Sequence, residues 1–312
     1  MSSSRVVCVV GPTASGKTAL TLGLAESLGA EIVSADSRQV YRHMDIGTAK
    51  PTRAEQARVH HHCVDLVDPG EPFDVARFRD AATAALRDMH ARGRPAFVVG
   101  GTGLYVRALL RGLCPAPPRV PAIRAALAAI VGREGTSTLH RHLAVIDPVA
   151  AARIHPHDAV RLERALEVAL SSGRRLSEWQ AAHSFGETPY QTLVIGLALP
   201  PVTLGVRIGA RARAMVAAGF LDEVRLLRAR GLDDGAAAWR AVGYREMRGC
   251  VDGQVDLEGA LAATVRATRR FARRQRTWFR VEPGIHWRHP DTDRARIVDE
   301  VAAFLASGTR PP

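Results

Sequence analysis

Eight residues near the N-terminus have the composition and spacing of a phosphate-binding loop. Between a predicted strand and a predicted helix, the pattern G-x-x-x-x-G-K-[ST] is matched by Gly11, Pro12, Thr13, Ala14, Ser15, Gly16, Lys17 and Thr18. Glycines let successive backbone N–H groups point at phosphate oxygens, and the positive end of the following helix adds to the attraction. Lys17 would neutralise the terminal phosphate, and the Thr18 hydroxyl would ligate Mg²⁺. The motif predicts a phosphate ligand without saying which one.

Asp36 is the candidate base. It follows the second predicted strand directly, in the segment Ser34-Ala35-Asp36-Ser37. The carboxyl ends of parallel strands line the binding crevice of an α/β sheet, so Asp36 is well placed to act on an acceptor beside the bound phosphate. The alternative is an ordinary turn or helix-cap aspartate. The acid that P-loop NTPases place after a buried strand is missing here, since the strand predicted at residues 95–99 runs into Gly100-Gly101-Thr102-Gly103.

A basic segment near the C-terminus is the candidate nucleic-acid surface. It has aromatic residues between its arginines and no acid, and its arginines are Arg266, Arg269, Arg270, Arg273, Arg274, Arg276 and Arg280. Spacings of three and four place most of them on one helical face, where like charges call for an anionic partner such as an RNA backbone. The alternative is a solvated arginine face above a buried aromatic face. Residues 240–245 add a tyrosine between two arginines, as a possible stacking ring.

Overall charge agrees with a polyanionic partner. The 312 residues include 43 basic and 31 acidic side chains, for a net charge of +12. This excess favours nucleic acid over a membrane, because no basic amphipathic anchor is present. The alternative is a basic surface typical of an arginine-rich proteome. Only two lysines remain, Lys17 and Lys50, and the sequence suggests no role for Lys50.

Cysteine spacing and hydropathy exclude several classes of protein. The four cysteines are scattered, which argues against a zinc site or a disulfide framework. Residues 60–63, His-His-His-Cys, are predicted to form a strand edge rather than a metal site, because adjacent strand residues point to opposite faces. No run approaches the roughly 20 apolar residues that span a bilayer, and the first residues have no secretory pattern. We therefore expect a soluble, cytoplasmic protein.

Alternating strand and helix patterns predict an α/β fold with a parallel, doubly wound sheet. Strands are predicted at residues 5–10, 31–35, 63–67, 95–99 and 191–199, and helices at 18–28 and 73–92. From residue 122 to about residue 179 the pattern is helical, with no strand candidate. We therefore predict a P-loop NTPase-like core at 1–120 and 191–312, interrupted by an inserted all-helical domain at 121–190.

Together these segments resemble the bacterial tRNA dimethylallyltransferases, also called tRNA isopentenyltransferases. The matching stretches are collinear and spread over most of the chain: GPTASGKT (11–18), SADSRQVYRHMDIGTAKP (34–51), VVGGTGLYVRALL (98–110), DPVAAARIHPHDAVRLERALEV (147–168), GF-x-x-EV (219–224), RAVGYRE (240–246) and RRQRTWFR (273–280). Such a set is far more specific than the phosphate loop alone.

The resemblance implies an activity and a site. The phosphate loop would hold the diphosphate of dimethylallyl diphosphate with Mg²⁺, and the acceptor would be N6 of the adenine on the 3′ side of the anticodon. Asp36 would take the N6 proton, and Thr102 would face the reaction channel that contains Asp36. Arg207 and Arg211 could contact the leaving diphosphate. The implied tRNA-contacting residues are Asp36, Ser37, Arg38, Gln39, Thr102, Arg124, Val160, Arg161, Leu162, Glu163, Arg164, Arg240, Ala241, Val242, Gly243, Tyr244, Arg245, Arg273, Arg274, Gln275, Arg276, Thr277, Trp278, Phe279 and Arg280.

The helical insertion would clasp tRNA, and we expect a monomer. Two other functions compete with this one. A small-molecule or nucleotide kinase would also combine a phosphate loop with a strand-end aspartate, although the basic helix argues against it. A non-catalytic RNA-binding protein would leave the phosphate loop unexplained.

Overall fold

Six parallel strands form a single sheet in the order β3-β2-β4-β1-β5-β6. The structure is a computed structural model that describes residues 4–187 and 189–307. The strands are β1 (Arg5–Val10), β2 (Glu31–Ser34), β3 (His61–His62), β4 (Ala96–Gly100), β5 (Gln191–Leu197) and β6 (Ile285–Arg288). The parallel α/β architecture predicted from the sequence is confirmed.

Fourteen helices accompany the sheet within the described residues. They are α1 (Lys17–Ser27), α2 (Arg53–Arg58), α3 (Val75–Ala91), α4 (Gly103–Arg111), α5 (Pro121–Glu134), α6 (Thr136–Ile146), α7 (Pro148–Ala151), α8 (Ala159–Ser172), α9 (Leu176–His183), α10 (Pro201–Ala217), α11 (Phe220–Ala229), α12 (Tyr244–Val251), α13 (Leu257–Arg280) and α14 (Arg294–Ala306), with a short 3₁₀-helix at Ala237–Arg240. Within the described ranges, no helix is both long and apolar enough to cross a bilayer.

The sheet is buried on both faces because residues 6–10 of β1 and most residues of its neighbours β4 and β5 are apolar. Val6, Cys8 and Val10 of β1 point into a core shared with α3 and α4. Val7 and Val9 point into the opposite core, shared with α1 and α14. A continuous apolar run is what a strand covered by helices on both sides requires. This burial fixes the carboxyl ends of β1, β2 and β4 at one edge of the sheet.

The strand predicted at residues 63–67 is wrong. The third strand is β3, which ends at His62, because the next residues leave the extended conformation. Cys63 has φ 61° and Asp65 has φ 54°, and this left-handed region cannot continue a strand. Val67 alone forms a bridge, to Tyr41. The sequence analysis also missed β6, a four-residue edge strand, and α14, which packs beside β5.

A second compact unit covers Arg111–Glu187, and the first covers Met1–Leu110 with Thr188–Pro312. All residues of the second unit are described, and they form helices without a strand. Its core is built from leucines and small residues of α5, α6, α7 and α8, with Leu139, Leu143 and Leu162 fully buried. The predicted insertion at 121–190 starts ten residues later and ends three later. Residues 1–3, 188 and 308–312 of the predicted domains lie outside the described residues.

Candidate functional site

The phosphate loop joins β1 to α1, as its sequence motif requires. Gly16 has φ 92°, a left-handed conformation that glycine adopts without steric cost, and it starts α1 with no side-chain cap. The first N–H groups of the helix therefore remain available to an anion. Lys17 Nζ donates hydrogen bonds to Gly11 O at 3.0 Å and Pro12 O at 2.7 Å. Burial and the nearby Arg211 lower the pKa of the Lys17 ammonium to about 7.

A cavity of about 530 Å³ opens above this loop. Its volume lies in the range of small-molecule sites. One part of its wall is apolar, with Ile208, Ala212 and Met215 from α10, and Phe220 and Phe271 from α11 and α13. Its cationic lining residues are Lys17, Arg38, Arg207, Arg211, Arg240 and Arg274. The cavity can therefore hold a molecule with one apolar end and one strongly anionic end.

Asp36 is the only carboxylate among the described residues that line this cavity. Its Oδ1 accepts a hydrogen bond from the Arg38 backbone N–H at 2.8 Å, which fixes the turn after β2. Burial lowers the pKa of Lys17 and of Arg211, and the charge of Asp36 partly offsets this effect, so the three groups lie within electrostatic reach of one another. A carboxylate beside an anion-binding site can accept a proton from a nucleophile that attacks the bound molecule.

Arg207 and Arg211 of α10, which were expected to contact a diphosphate, also line the cavity. Arg207 donates a hydrogen bond to Asp291 Oδ2 at 2.7 Å. Arg211 is largely buried, and burial lowers the pKa of its guanidinium. An unpaired cation is costly to bury, so the environment of Arg211 favours an anionic ligand.

Thr102 supports the turn that carries Asp36. Its Oγ1 accepts a hydrogen bond from the Ser37 N–H at 3.1 Å, and its own N–H donates to Ala35 O. The preceding Gly100 has no room for a side chain, because a Cβ there would overlap the Ala35 carbonyl. The ends of β2 and β4 are thereby held in close contact. Thr102 thus lies one turn from Asp36, although it is absent from the cavity wall.

Glu223, which the sequence analysis did not single out, anchors the segment 45–47 that borders the cavity. Its carboxylate accepts hydrogen bonds from the backbone N–H groups of Asp45 and Ile46 at 2.7 Å and of Gly47 at 3.1 Å. It also accepts the Tyr244 hydroxyl at 2.5 Å. The one available sequence signal was its place in the stretch GF-x-x-EV. One carboxylate therefore joins α11, α12 and a cavity wall.

Lys50 has a structural role in the same segment. Its side chain is 3% exposed. Its ammonium donates to Tyr41 O at 2.8 Å, to Asp65 at 2.6 Å and to Asp45. The three N–H donors of an ammonium match three oxygens converging on one point. Lys50 therefore holds residues 41–50 together.

The arginine face of α13 is exposed, as predicted. All seven of its arginines are exposed or half-buried, while Ala267, Ala272 and Phe279 pack inward. Arg270 and Arg274 join Arg240 and Arg245 around a second cavity of about 250 Å³ that adjoins the first one. Four arginines and one acid, Glu246, thus line the region next to the cavity that contains Asp36, which we call the cavity mouth.

Some residues expected to contact RNA are buried in this structure, which argues against contacts through their side chains. They are Leu162, Ala241, Gly243, Tyr244, Gln275 and Phe279. The expected contacts were contiguous blocks, whereas every third or fourth residue of a helix faces the core. The ring of Tyr244 is 0% exposed and cannot stack on a base. We assign these side chains packing and positioning roles.

In the helical unit, Glu167 organises two of the expected RNA contacts. Its carboxylate is fully buried and pairs with Arg124 at 3.1 Å and Arg164 at 2.9 Å. It also accepts the Val120 N–H at 2.8 Å. Charge on these two arginines is thus already partly compensated. The residues Val160, Arg161 and Glu163 remain exposed or half-buried on α8.

Two places in the described residues offer possible metal ligands. Thr18 is exposed in the main cavity and offers one hydroxyl. Glu31, His60 and His62 bring three possible ligand atoms within 4.8 Å of one another. The Glu31 carboxylate, however, already pairs with Arg92 and with His62 at 2.7 Å. The hydrogen bond from Arg92 lowers the pKa of Glu31 to about 2, so this group is best described as an ion-pair network.

Comparisons with known proteins identify the family of this chain. The family described as IPP transferase matches residues 39–282, and the one described as Isopentenyl transferase matches residues 4–65. A tRNA dimethylallyltransferase of Anaeromyxobacter dehalogenans is 52% identical over 95% of this chain and 99% of its own. A tRNA dimethylallyltransferase 2 of Syntrophus aciditrophicus is 48% identical over 96% of each chain.

Solved structures point the same way. The tRNA isopentenylpyrophosphate transferase of Bacillus halodurans is 40% identical and covers 97% of each chain, with a TM-score of 0.72. A eukaryotic dimethylallyltransferase acting on tRNA has a TM-score of 0.83 over 99% of this chain and 81% of that one, and at 24% identity it supports the fold alone. On these matches, the chain belongs to the tRNA dimethylallyltransferase family.

Proposed function

We propose that the protein transfers a dimethylallyl group from dimethylallyl diphosphate to N6 of the adenine on the 3′ side of the tRNA anticodon, with release of diphosphate. The observation that carries this proposal is the pairing of one carboxylate, Asp36, with six cations in a cavity above the phosphate loop. Such a cavity suits an anionic leaving group beside a site of proton removal. Family membership agrees with this assignment and disfavours the kinase.

The phosphate loop would bind the donor, dimethylallyl diphosphate. The open N–H groups of α1 and the Lys17 ammonium would bind the diphosphate, together with Arg207 and Arg211, which line the same cavity. As the bond between C1 and the diphosphate oxygen breaks, its electron pair leaves with the diphosphate and C1 gains allylic cation character. Fixed cations at the leaving oxygen stabilise that charge separation. The apolar wall formed by Ile208, Met215 and Phe271 would receive the five-carbon group.

Asp36 would remove a proton from the acceptor, the adenine N6 amino group. Adenine N6 forms the new bond to C1, and one N6 proton passes to the Asp36 carboxylate. Since the hydrogen bond from Arg38 holds Oδ1, the described residues leave Oδ2 to receive that proton. The Thr102 hydroxyl would keep the turn at Ser37 in place during the transfer.

Mg²⁺ is the proposed cofactor. Mg²⁺ commonly binds through few protein ligands plus substrate phosphates and waters, and a single exposed Thr18 hydroxyl fits that pattern. When bound, the ion would offset negative charge on the diphosphate.

Transfer RNA is the proposed acceptor, and the exposed arginines around the cavity mouth would bind its phosphates. The target base must leave its stack to reach Asp36, as in other enzymes that modify bases. The helical unit would clasp the RNA with exposed α8 residues such as Arg161.

One chain provides the phosphate loop, the carboxylate of Asp36 and the basic helix, so a monomer suffices. Four free cysteines and a tRNA substrate favour the cytoplasm.

The test replaces Asp36 with asparagine and follows prenyl transfer from labelled dimethylallyl diphosphate to tRNA. Asparagine keeps the hydrogen bond to Arg38 but cannot accept the N6 proton. The initial rate should fall by about 10²-fold or more, while tRNA affinity stays within about threefold. The matched control, Asp80→Asn on the exposed side of α3, should retain the rate. Loss of tRNA binding in Asp36→Asn would make the residue structural.

A parallel incubation with ATP distinguishes the proposed function from a kinase activity. Wild-type protein incubated with tRNA and γ-labelled ATP should transfer no phosphate. Phosphate transfer without any prenylation would overturn the proposal.

A further inference from the structure

Gln275 connects the RNA-facing helix to both loops of the cavity. Its side chain is 6% exposed, although it lies within the arginine-rich part of α13. Its Oε1 accepts a hydrogen bond from the Thr13 N–H at 2.8 Å, and its Nε2 donates to Gly101 O at 2.9 Å. One amide thus spans the phosphate loop and the turn after β4.

Close packing makes this connection stiff. A Cβ on Gly101 would overlap the Gln275 amide, and a Cβ on Gly103 would overlap the Trp278 indole. The two glycines therefore admit side chains of α13 against the loop backbone. Arg107 of α4 lies 4.4 Å from the centroid of the Trp278 ring. In a close-packed region of this kind, α13 cannot shift without moving the loops or breaking these contacts.

The exposed arginines on the outer face of α13 should make the position of this helix depend on bound RNA. Its exposed arginines have like charges at spacings of three and four, which destabilise the helix when no anion is bound. Phosphates on that face would remove the repulsion. Bound RNA would therefore favour the α13 position in which Gln275 keeps both of its hydrogen bonds.

We propose that Gln275 is a positioning residue that couples tRNA binding on α13 to diphosphate binding in the phosphate loop. Thr13 and Gly101 are the two points at which it acts. By linkage, RNA tightens diphosphate binding by the same factor by which diphosphate tightens RNA binding. The inference rests on the proposed function, since it takes tRNA and a diphosphate as the two ligands.

The experiment measures the Kd of inorganic pyrophosphate with and without a saturating anticodon stem-loop RNA. For the wild type, the RNA should lower this Kd by about fivefold or more, the effect expected from securing two neutral hydrogen bonds. In Gln275→Met, which conserves side-chain length, the ratio of the two Kd values should fall to about 1. If this variant fails to fold, Gln275→Glu replaces it; it keeps the acceptor for Thr13 but lacks the donor to Gly101, so its ratio should fall below that of the wild type.

Arg273→Ala on the exposed face of α13 is the matched control. It should weaken RNA binding, yet at saturating RNA it should keep most of the wild-type ratio, because Gln275 and six of the seven arginines are intact. A wild-type ratio of 1, or an unchanged ratio in Gln275→Met, would overturn the coupling. Prenyl transfer by the wild type is measured in parallel. Its absence would refute the proposed function, whereas transfer with an unchanged ratio would refute the coupling alone.

Discussion

Lys17 should make diphosphate binding dependent on protons. With a pKa of about 7, its side chain is mostly neutral at pH 8. A bound anion favours the ammonium, so binding raises this pKa and takes up a proton. The affinity for pyrophosphate should therefore fall as pH rises above 7. Calorimetry at pH 8 in two buffers of different ionisation enthalpy should show uptake of up to about one proton.

Lys17→Met is the control for this measurement. It should bind pyrophosphate more weakly and lose most of the proton uptake. Equal uptake by the variant would assign the proton to pyrophosphate itself and contradict the role of Lys17.

Lys50 shows why a single residue can be noticed in a sequence and yet not explained. As one of two lysines among many arginines, it was conspicuous by composition. Its partners are a backbone carbonyl at Tyr41 and the carboxylates of Asp45 and Asp65. The three oxygens converge from segments whose backbone has positive φ at His43, Ala49, Cys63 and Asp65. Nothing in local spacing predicts that convergence. The structural role of Lys50 could be assigned only from the folded structure.

At the scale of elements, Glu223 should hold a cavity wall in place. In Glu223→Gln the new amide would direct an N–H donor at backbone N–H groups that the carboxylate now satisfies. We expect the free energy of unfolding to fall by about 2 kcal/mol or more, since hydrogen bonds to a charged group are lost. Hydrogen exchange at the amides of Asp45, Ile46 and Gly47 should accelerate. Denaturant titration and exchange mass spectrometry measure the two effects.

The matched control for this prediction is Glu134→Gln, an exposed glutamate at the end of α5. Its stability should stay within about 0.5 kcal/mol of the wild type. If Glu223→Gln behaved like the control, the four hydrogen bonds would not anchor the segment.

The elements near the phosphate loop were predictable because their signals are local. A β-branched run, a glycine-rich turn and a helical repeat follow one another within residues 5–28, and β1 and α1 confirm them. The segment 63–67 also looked like a strand, but left-handed φ values at Cys63 and Asp65 end the extended backbone. The strand β6 was missed because four residues at a sheet edge leave little pattern.

At the scale of the whole molecule, the positive charge should make tRNA binding strongly dependent on salt. A net charge of +12 with arginines around the cavity mouth implies release of counterions on binding. A plot of log Kd against log salt should be linear. Arg270→Ala should reduce the magnitude of its slope by about 0.7 to 0.9, the contribution of one phosphate contact. Filter binding between low and moderate salt measures this.

Arg79→Ala provides the comparison for the salt series. Arg79 lies on α3, is paired with Asp80, and belongs to neither cavity wall. Its slope should match that of the wild type. Equal slopes for both variants would remove Arg270 from the RNA-binding surface.

The candidate site was only partly predictable from the sequence. Asp36 and the phosphate loop follow directly from strand ends, and the cavity brings them together. By contrast, Glu223 and Gln275 act on backbone groups far away in the chain, which no spacing rule could indicate. Tyr244 was expected to stack on RNA because it stands between two arginines, yet its ring lies in the core.

The charge imbalance of the main cavity also bears on how each catalytic cycle ends. Free pyrophosphate has one more ionisable oxygen than the ester from which it is released, and six cations face a single carboxylate there. The product should therefore leave slowly and limit steady-state turnover. We expect a rapid first turnover followed by a slower phase, and addition of inorganic pyrophosphatase should accelerate that phase. If added pyrophosphatase left the steady-state rate unchanged, release of pyrophosphate would not be the step that limits turnover.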